Sequence, residues 1–158
     1  MEMDRSYLQT IEQSHLEDEW RALLSGRSRE QLAFRPAPGE WSILEVVHHI
    51  GELEDLRLRR IHNMLSEADP LLEARGELSA VPSGSVDAML DRWHATREAL
   101  LQLGRSLDSD QLDRPGRHPQ FGPTSPRDQF GKSEPHARNH FEQCRANLAA
   151  FEQASAPA

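Results

Sequence analysis

Apolar and polar positions alternate along most of the chain with the period of amphipathic helices. Between about Asp4 and Ser25, for example, Leu8, Ile11 and Trp20 fall on one side of a 3.6-residue period. This spacing predicts four helices, at approximately residues 4–25, 41–66, 84–107 and 133–153. No repeat of fixed period occurs, so a solenoid is not expected.

The predicted second helix has the broadest apolar surface. It contains no proline, and its apolar positions run from Trp41 through Val46 and Ile50 to Leu65. A surface this wide faces two neighbours rather than one, which is the arrangement found in helix bundles. The four helices therefore predict an all-α protein, a single-domain four-helix bundle over residues 1–158.

A long irregular segment, residues 108–133, is predicted before the last helix. Four prolines interrupt it: Pro115, Pro119, Pro123 and Pro126. Long loops of this kind are usually functional or mobile. Ser133 is predicted to cap the last helix, with Pro135 in its first turn. The segment could cover the site as a lid whose basic residues hold an acidic substrate, although basic residues in a loop rich in Gly and Pro are usually just solvated; these residues are Arg114, Arg117, His118 and Arg127.

The charge balance argues against two classes of partner. The chain has 26 acidic and 18 basic residues and a net charge of −8, which repels nucleic acid phosphates and anionic membranes. No apolar run approaches the ~20 residues that span a bilayer, and the first ten residues lack an apolar signal segment. The single cysteine, Cys144, cannot form an internal disulfide. These features predict a cytoplasmic protein that binds neither nucleic acid nor membrane.

Eight histidines are a high number for this length, and three of them could converge. His136 and His140 have i, i+4 spacing, which places both rings on one helix face within reach of one ion. The same spacing also suits a solvated polar face. His49 shares the apolar stripe of Leu53, and a buried imidazole needs a hydrogen-bond acceptor, a water or a metal as partner. The adjacent His48 is predicted to lie towards solvent.

Two segments of the chain resemble the DinB/YfiT-like superfamily. They are residues 38–50, PGEWSILEVVHHI, and residues 136–143, HARNHFEQ. The family's Trp-Ser, followed by a histidine eight residues after the tryptophan, falls on Trp41 and His49. The resemblance implies a four-helix bundle, often dimeric, in which a histidine of the second helix and an H-x-x-x-H pair of the last helix bind a divalent metal. It therefore implies that His49, His136 and His140 are the ligands.

The resemblance also implies two chemistries at such a site. Three histidines leave a coordination position for water or substrate. The family includes metal-dependent hydrolysis and transfer of a low-molecular-weight thiol to a small molecule, and the residues do not choose between them. Imidazole suits Zn, Ni and Fe, so the metal stays open. A homodimer is expected from the resemblance alone.

Neighbours of the three histidines complete the predicted site. Glu45 and Glu52 lie one turn on either side of His49 and could accept an N–H from a ligating ring, although surface carboxylates are the simpler interpretation. Cys144 continues the row of His140 but is interpreted as a small core residue. Because Pro135 is expected to begin the last helix, its histidine pair is predicted in the first two turns, near the end of the bundle.

Two further classes of function remain open. The chain could be a helical, dimeric, stress-related protein whose histidines bind metal only structurally or not at all. It could also be a metal-responsive or small-ligand binding module without turnover. Nucleotide-binding, zincin and serine-hydrolase functions have no motif to support them.

Overall fold

The structure, a computed structural model, describes residues 5–157. The elements in this range are α1 (Ser6–Glu12), α2 (Leu16–Leu24), α3 (Arg29–Ala33), α4 (Ile43–Ser66), α5 (Val86–Ser106), α6 (Ser109–Leu112), β1 (Gly116–His118), β2 (Gly122–Thr124) and α7 (Pro126–Ser155). Helix α4 packs against both α5 and α7, and the shorter helices α1 and α2 lie across α5 and α7. The predicted all-α four-helix bundle is confirmed, with the α1–α2 pair as its fourth member.

Helix α4 begins close to the predicted position. Ser42 is the N-cap: its hydroxyl accepts from the backbone N–H of Glu45, and the Glu45 carboxylate accepts from the N–H of Ser42. This reciprocal capping box satisfies two N–H groups that the first turn leaves free. Helix α5 begins in a similar way after Ser85, whose hydroxyl accepts from Ala88.

The predicted first helix, residues 4–25, is in fact two helices, so this prediction was wrong in its continuity. Ser14 lies in the break, where its hydroxyl accepts from the N–H of Leu16 at 3.0 Å and donates to Glu134 at 2.5 Å. Serine side chains commonly compete with the helix ladder in this way. The predicted start at Asp4 lies outside the described residues.

The predicted loop over residues 108–133 was also wrong, because most of it is ordered structure. It contains α6, an antiparallel hairpin of β1 and β2, and the first turns of α7. Ser125 and Asp128 form a capping box, and Pro126 occupies the first turn, where a proline needs no N–H partner. The last helix therefore begins at Pro126 and not after Ser133 as predicted, and Pro135 lies inside α7.

The connecting segment, residues 67–85, runs from α4 to α5 along the outside of α4. Both guanidinium contacts of Arg60 end on the main-chain oxygen of Glu73, at 3.0 and 2.8 Å. Leu72 donates its N–H to Arg117 of β1 at 2.9 Å, which fastens the hairpin to the same segment. The segment and the hairpin thus form two walls beside the groove between α4 and α7.

The apolar core divides into two clusters. The tryptophan cluster is centred on Trp20, Trp93 and Phe141, with Trp20 stacked edge-on against both other rings. The tyrosine cluster contains Tyr7, whose ring centroid lies 5.5 Å from that of Phe130. Between them lies a polar layer of buried or half-buried side chains from α4, α5 and α7: Glu54, Arg57, Arg97, Ser133 and Glu134.

No helix among residues 5–157 is both long enough and apolar enough to cross a membrane.

Candidate metal centre

Helix α4 contributes the first histidine of the candidate centre. His49 is only 4% exposed, because its row on the helix faces α7 rather than solvent. The indole of Trp41, just before the helix, packs on the imidazole with 4.8 Å between ring centroids. Asn147 of α7 donates to the main-chain oxygen of Trp41 at 2.8 Å, which fixes the entry to α4 over the histidine.

Helix α7 contributes the other two histidines. The rings of His136 and His140 lie one turn apart, with centroids 4.6 Å from each other and 5.1 and 4.9 Å from that of His49. The Nε2 atoms of His49 and His136 are 3.1 Å apart. One nitrogen from each of the three rings lies within 4.8 Å of the others. The structure therefore brings together the three histidines that the sequence singled out.

The orientation of His140 is fixed by a residue that the sequence analysis did not assign. The amide oxygen of Gln143 lies 2.7 Å from Nδ1 of His140. An amide oxygen only accepts, so Nδ1 carries the proton and the lone pair of Nε2 is free. A ligating histidine is commonly oriented by an acceptor on its other nitrogen. The i, i+3 spacing of the two residues on one helix could have revealed this contact.

The three imidazoles are held in their neutral form. Burial, together with the charges of His140 and Arg75, lowers the pKa of His49 from 6.5 to about 4. Burial and the charge of Arg57 lower the pKa of His136 to about 2. Burial also lowers the pKa of His140, although its hydrogen bond to Gln143 opposes this change. Neutral imidazole is the form that binds a metal ion.

This donor set fits a divalent ion. In a tetrahedral site with Zn–N bonds of about 2.0–2.1 Å, neighbouring ligand nitrogens are ~3.3 Å apart. The separation of 3.1 Å between His49 and His136 is close to that value. Without a cation, one of these two facing Nε2 atoms must carry a proton; with a cation, both lone pairs have a partner. The geometry is that of a cluster that could hold a metal ion.

The carboxylates of the two glutamates predicted to accept an N–H from His49 are hydrogen-bonded to other residues instead. The carboxylate of Glu45 caps α4 at Ser42 and pairs with Arg35 at 2.7 and 2.8 Å. Glu52 accepts from both the hydroxyl and the N–H of Ser79. Among residues 5–157, no carboxylate is hydrogen-bonded to any of the three clustered imidazoles.

His48 differs from its prediction, because it is buried rather than turned to solvent. Only 5% of it is exposed, and its Nε2 lies 2.8 Å from the hydroxyl of Ser79 and 3.3 Å from Glu52. The connecting segment covers this face of α4, and covering by an irregular segment leaves no periodic pattern in the sequence. The contact ties the segment to the helix.

The basic residues of the predicted lid are mostly fastened away from the histidines. Arg114 donates to the main-chain oxygen of Glu67, and Arg117 donates to that of Asp69. Arg127 pairs with Asp113 at 2.9 Å. His118 alone lies on a cavity near the cluster.

Two further predictions about α7 concern the position of its histidine pair and the role of Cys144. The histidine pair lies in the interior of the helix, and not in its first two turns as predicted, because the helix begins at Pro126. Cys144 is fully buried in the tryptophan cluster, and burial raises the pKa of its thiol. The interpretation of Cys144 as a core residue is confirmed.

One cavity reaches the cluster, and a second adjoins that cavity. One, of about 190 Å³, is lined by His49 and by charged residues of both signs from α4 and the connecting segment. The other, of about 370 Å³, lies beside Arg57, Lys132 and the β1–β2 hairpin. Leu53, Ala74 and Arg75 line both cavities, so the two adjoin one another. The cluster thus has room for small molecules at its edge.

Comparison with known proteins gives one family and two similar structures. The sequence model of the DinB superfamily matches residues 14–144. The structure is similar to that of YfiT from Bacillus subtilis, described as a probable metal-dependent hydrolase with an unusual four-helix bundle topology, with a TM-score of 0.77 and 17% identity over 97% of this chain and 90% of that one. It is also similar to TT2238, a four-helix bundle protein, with a TM-score of 0.61 and 22% identity over 89% of this chain and 99% of that one. No curated protein matches the sequence.

Proposed function

The chain belongs to the DinB superfamily, and we propose on that basis that it is a metal-dependent enzyme that acts on a small molecule. His49, His136 and His140 would bind one divalent ion, with Zn, Ni and Fe all suited to a set of three imidazoles. The observation that carries the proposal is the convergence of three neutral ring nitrogens within 4.8 Å of one another. The description of the similar YfiT as a probable metal-dependent hydrolase supports it.

The protein's own residues prepare the site for such an ion. Gln143 holds the proton of His140 on Nδ1, which leaves Nε2 directed to the centre. Trp41 and the main-chain contact from Asn147 keep His49 in place. When bound, a divalent ion with an open coordination position acts as a Lewis acid that makes water or a thiol nucleophilic near neutral pH.

Hydrolysis of a small molecule is the first candidate reaction. Water would add across the scissile bond, and the neutral imidazoles would remain ligands rather than act as proton carriers. No carboxylate among residues 5–157 is hydrogen-bonded to the clustered imidazoles, but Glu52 lies with His49 on the cavity of about 190 Å³ and could accept a proton there.

Transfer of a low-molecular-weight thiol is the second candidate. The presence of two adjoining cavities, of about 190 and 370 Å³, favours it, because a transfer reaction needs room for two small molecules. The sulfur would form a new bond to carbon, and the displaced group would leave as the thiol proton passes to solvent. The homodimer and the non-catalytic binding role stay as further proposals.

Elemental analysis tests the metal site. Protein purified without an affinity tag is expected to contain Zn, Ni or Fe near one equivalent, and His49→Ala and His136→Ala are expected to lose it. His62→Ala is the matched control, because His62 is exposed on α4 away from the cluster. Equal metal content in all four proteins would contradict the proposal.

Two activity screens on the metal-loaded protein then separate the reactions. Ester and amide hydrolysis would be followed in one, and conjugation of thiols to small electrophiles in the other. Turnover that disappears in His136→Ala but persists in His62→Ala supports an enzyme. Metal binding without turnover in either screen would favour the non-catalytic alternative.

A further inference from the structure

We propose that the cavity of about 370 Å³ beside the histidine cluster binds the anionic group, a carboxylate or a phosphate, of the small-molecule substrate. The inference rests on the proposed function, because it assigns a substrate class to the same site. It depends on three observations: the position of the cavity, the charges that line it, and the apolar surface at its rim.

The cavity continues the groove in which the histidines lie. On α4, Leu53 and Arg57 extend the row of His49 at i, i+4 spacing. On α7, Lys132 lies one turn before His136. One turn is ~5.4 Å along a helix axis. A molecule with its anionic end at Lys132 therefore reaches the histidines with a body only a few atoms long.

The charges that line the cavity are all positive. Arg57, Arg60, Arg75 and Lys132 line it together with His118, and none of the described lining residues has a carboxylate. This is unusual in a chain whose net charge is −8. The cavity beside it is different, since that one is lined by four acidic side chains: Glu52, Asp55, Glu73 and Glu77.

Two of the four cationic side chains, Arg75 and Lys132, have no counterion in the part of the chain that the structure describes. Arg57 is paired with Glu54 at 3.0 Å. The guanidinium of Arg60 donates only to the neutral main-chain oxygen of Glu73. No hydrogen bond or ion pair to another described residue is formed by Arg75 or Lys132. Both side chains are exposed, so their charges are free to pair with an anion that enters the cavity.

The remaining lining suits the organic part of a ligand. Phe121, at the tip of the hairpin, is 71% exposed and stacks on His118 with ring centroids 4.7 Å apart. This apolar wall, beside arginines that can bind oxyanions bidentately, fits a small organic anion better than an inorganic one.

Binding of three matched probes to the full-length chain tests the inference. Phenylacetate and phenyl phosphate have the two candidate anionic groups, and phenylacetamide is the neutral analogue. Calorimetric titration is done on wild type, on Arg75→Gln/Lys132→Gln, and on the control Arg29→Gln/Arg145→Gln. The control also removes two positive charges, but from exposed positions away from the cavity. Each protein is titrated both with its metal and after chelation.

We expect wild type and the control to bind at least one anion and to bind the amide about tenfold more weakly or not at all, because the amide lacks the charge-assisted hydrogen bonds. The cavity variant should lose about tenfold in affinity for the anion. The better of the two anions identifies the head group. Equal affinity in the cavity variant and wild type, or no saturable binding of either anion, would overturn the inference.

The chelated samples separate this inference from the proposed function. Anion binding that requires metal and ignores the two cavity substitutions places the anion on the ion itself, which overturns the cavity assignment and supports the metal centre. Anion binding that survives chelation and fails in the cavity variant supports the cavity, even if elemental analysis finds no metal.

Discussion

Two groups of buried polar side chains lie on adjacent turns of α4 and α7, and they are built in opposite ways. In the polar layer, Arg57 donates to Glu54 at 3.0 Å, and Ser133 donates to the other carboxylate oxygen. In the histidine cluster, Nε2 of His49 faces Nε2 of His136. Each carboxylate oxygen of Glu54 has a donor in the first group. In the second, one facing Nε2 must carry a proton to donate to the other, and the lone pair on Nε2 of His140 then has no donor among the described residues.

The second ion pair of the polar layer also joins a buried guanidinium to a carboxylate, although Nε and Nη1 of Arg97 have no hydrogen-bond partner among the described residues. Arg97 is only 1% exposed, and it donates to Glu134 at 2.7 Å and lies over the Trp93 ring at 4.8 Å. Glu134 also accepts from Ser14, at the break between α1 and α2. The layer therefore joins four segments of the bundle and leaves no carboxylate in it without a donor.

The comparison teaches how a structural polar group differs from a binding site. A closed network stabilises only the arrangement that it already has, and removing one partner leaves a buried charge. The histidine cluster has neutral nitrogens that cannot all satisfy one another, so a cation improves it. Burial of polar side chains alone does not distinguish the two cases; the distinction is whether the acceptors already have donors, as the carboxylates of Glu54 and Glu134 do.

Metal addition should show the largest difference between the two groups. At a concentration one thousand times the dissociation constant, a ligand that binds only the folded chain stabilises it by about 4 kcal/mol. We expect this increase for chelated wild type when its metal is restored, measured as the free energy of unfolding in urea. His136→Ala should show no increase and His62→Ala the full one. An equal increase in His136→Ala would mean that the metal binds elsewhere.

Breaking the polar layer should have the next largest effect. Glu54→Gln removes the negative charge from a position that is 1% exposed and leaves Arg57 buried without its counterion. We expect a loss of about 3 kcal/mol or more in the free energy of unfolding. Metal content should be unchanged, because the substitution does not touch the histidines.

Two further variants sharpen this test. Glu54→Leu/Arg57→Met removes both charges and should recover part of the lost stability. Asp91→Asn breaks the exposed pair between Arg21 and Asp91, and its effect should be below about 0.5 kcal/mol. A loss as large in Asp91→Asn as in Glu54→Gln would show that burial does not set the cost.

Lowering the pH should decrease the free energy of unfolding of the chelated protein, because the buried histidines of the cluster resist protonation in the folded state. The folded-state pKa of His49 is about 4 and that of His136 about 2, both below the ordinary value of 6.5. Below pH 6.5 the unfolded chain therefore binds protons that the folded chain excludes, so the free energy of unfolding falls as pH falls from 7 to 5. His136→Asn should reduce this slope in urea titrations at several pH values, and His62→Asn should not. An unchanged slope in His136→Asn would contradict the assigned cause.

Helical spacing identified the three histidines as candidates, and the resemblance to the DinB/YfiT-like superfamily was needed to combine them into one ligand set. The i, i+4 spacing placed His136 and His140 on one face, and the apolar neighbours of His49 indicated that it is buried. The same reasoning failed for Glu45, which lies one turn from His49 but caps its own helix. Local capping competes with any longer-range role, and spacing alone cannot rank them.

Features that depend on contacts between distant segments could not be predicted. The pair of Ser133 and Glu54 joins residues 79 positions apart, and no periodicity specifies it. His48 is buried by the irregular connecting segment rather than by a helix face. The start of α7 was misplaced because both Ser125 and Ser133 are followed within two residues by a proline. The helix begins after Ser125, where Asp128 completes a capping box. Dimerisation and a cytoplasmic location stay predictions.

Cys144 offers the smallest and most specific test, at the boundary of the histidine cluster. It follows His140 by one turn on α7, yet its side chain is fully buried among the tryptophan cluster, and burial raises the pKa of its thiol. A ligating cysteine must be a thiolate, so Cys144→Ala should leave metal content unchanged where His140→Ala lowers it. Iodoacetamide should label the thiol in urea but not in the native chain. Loss of metal in Cys144→Ala would mean that Cys144 is also a ligand. The metal site would then reach into the tryptophan cluster, and the contrast drawn between the histidine cluster and the polar layer would no longer hold.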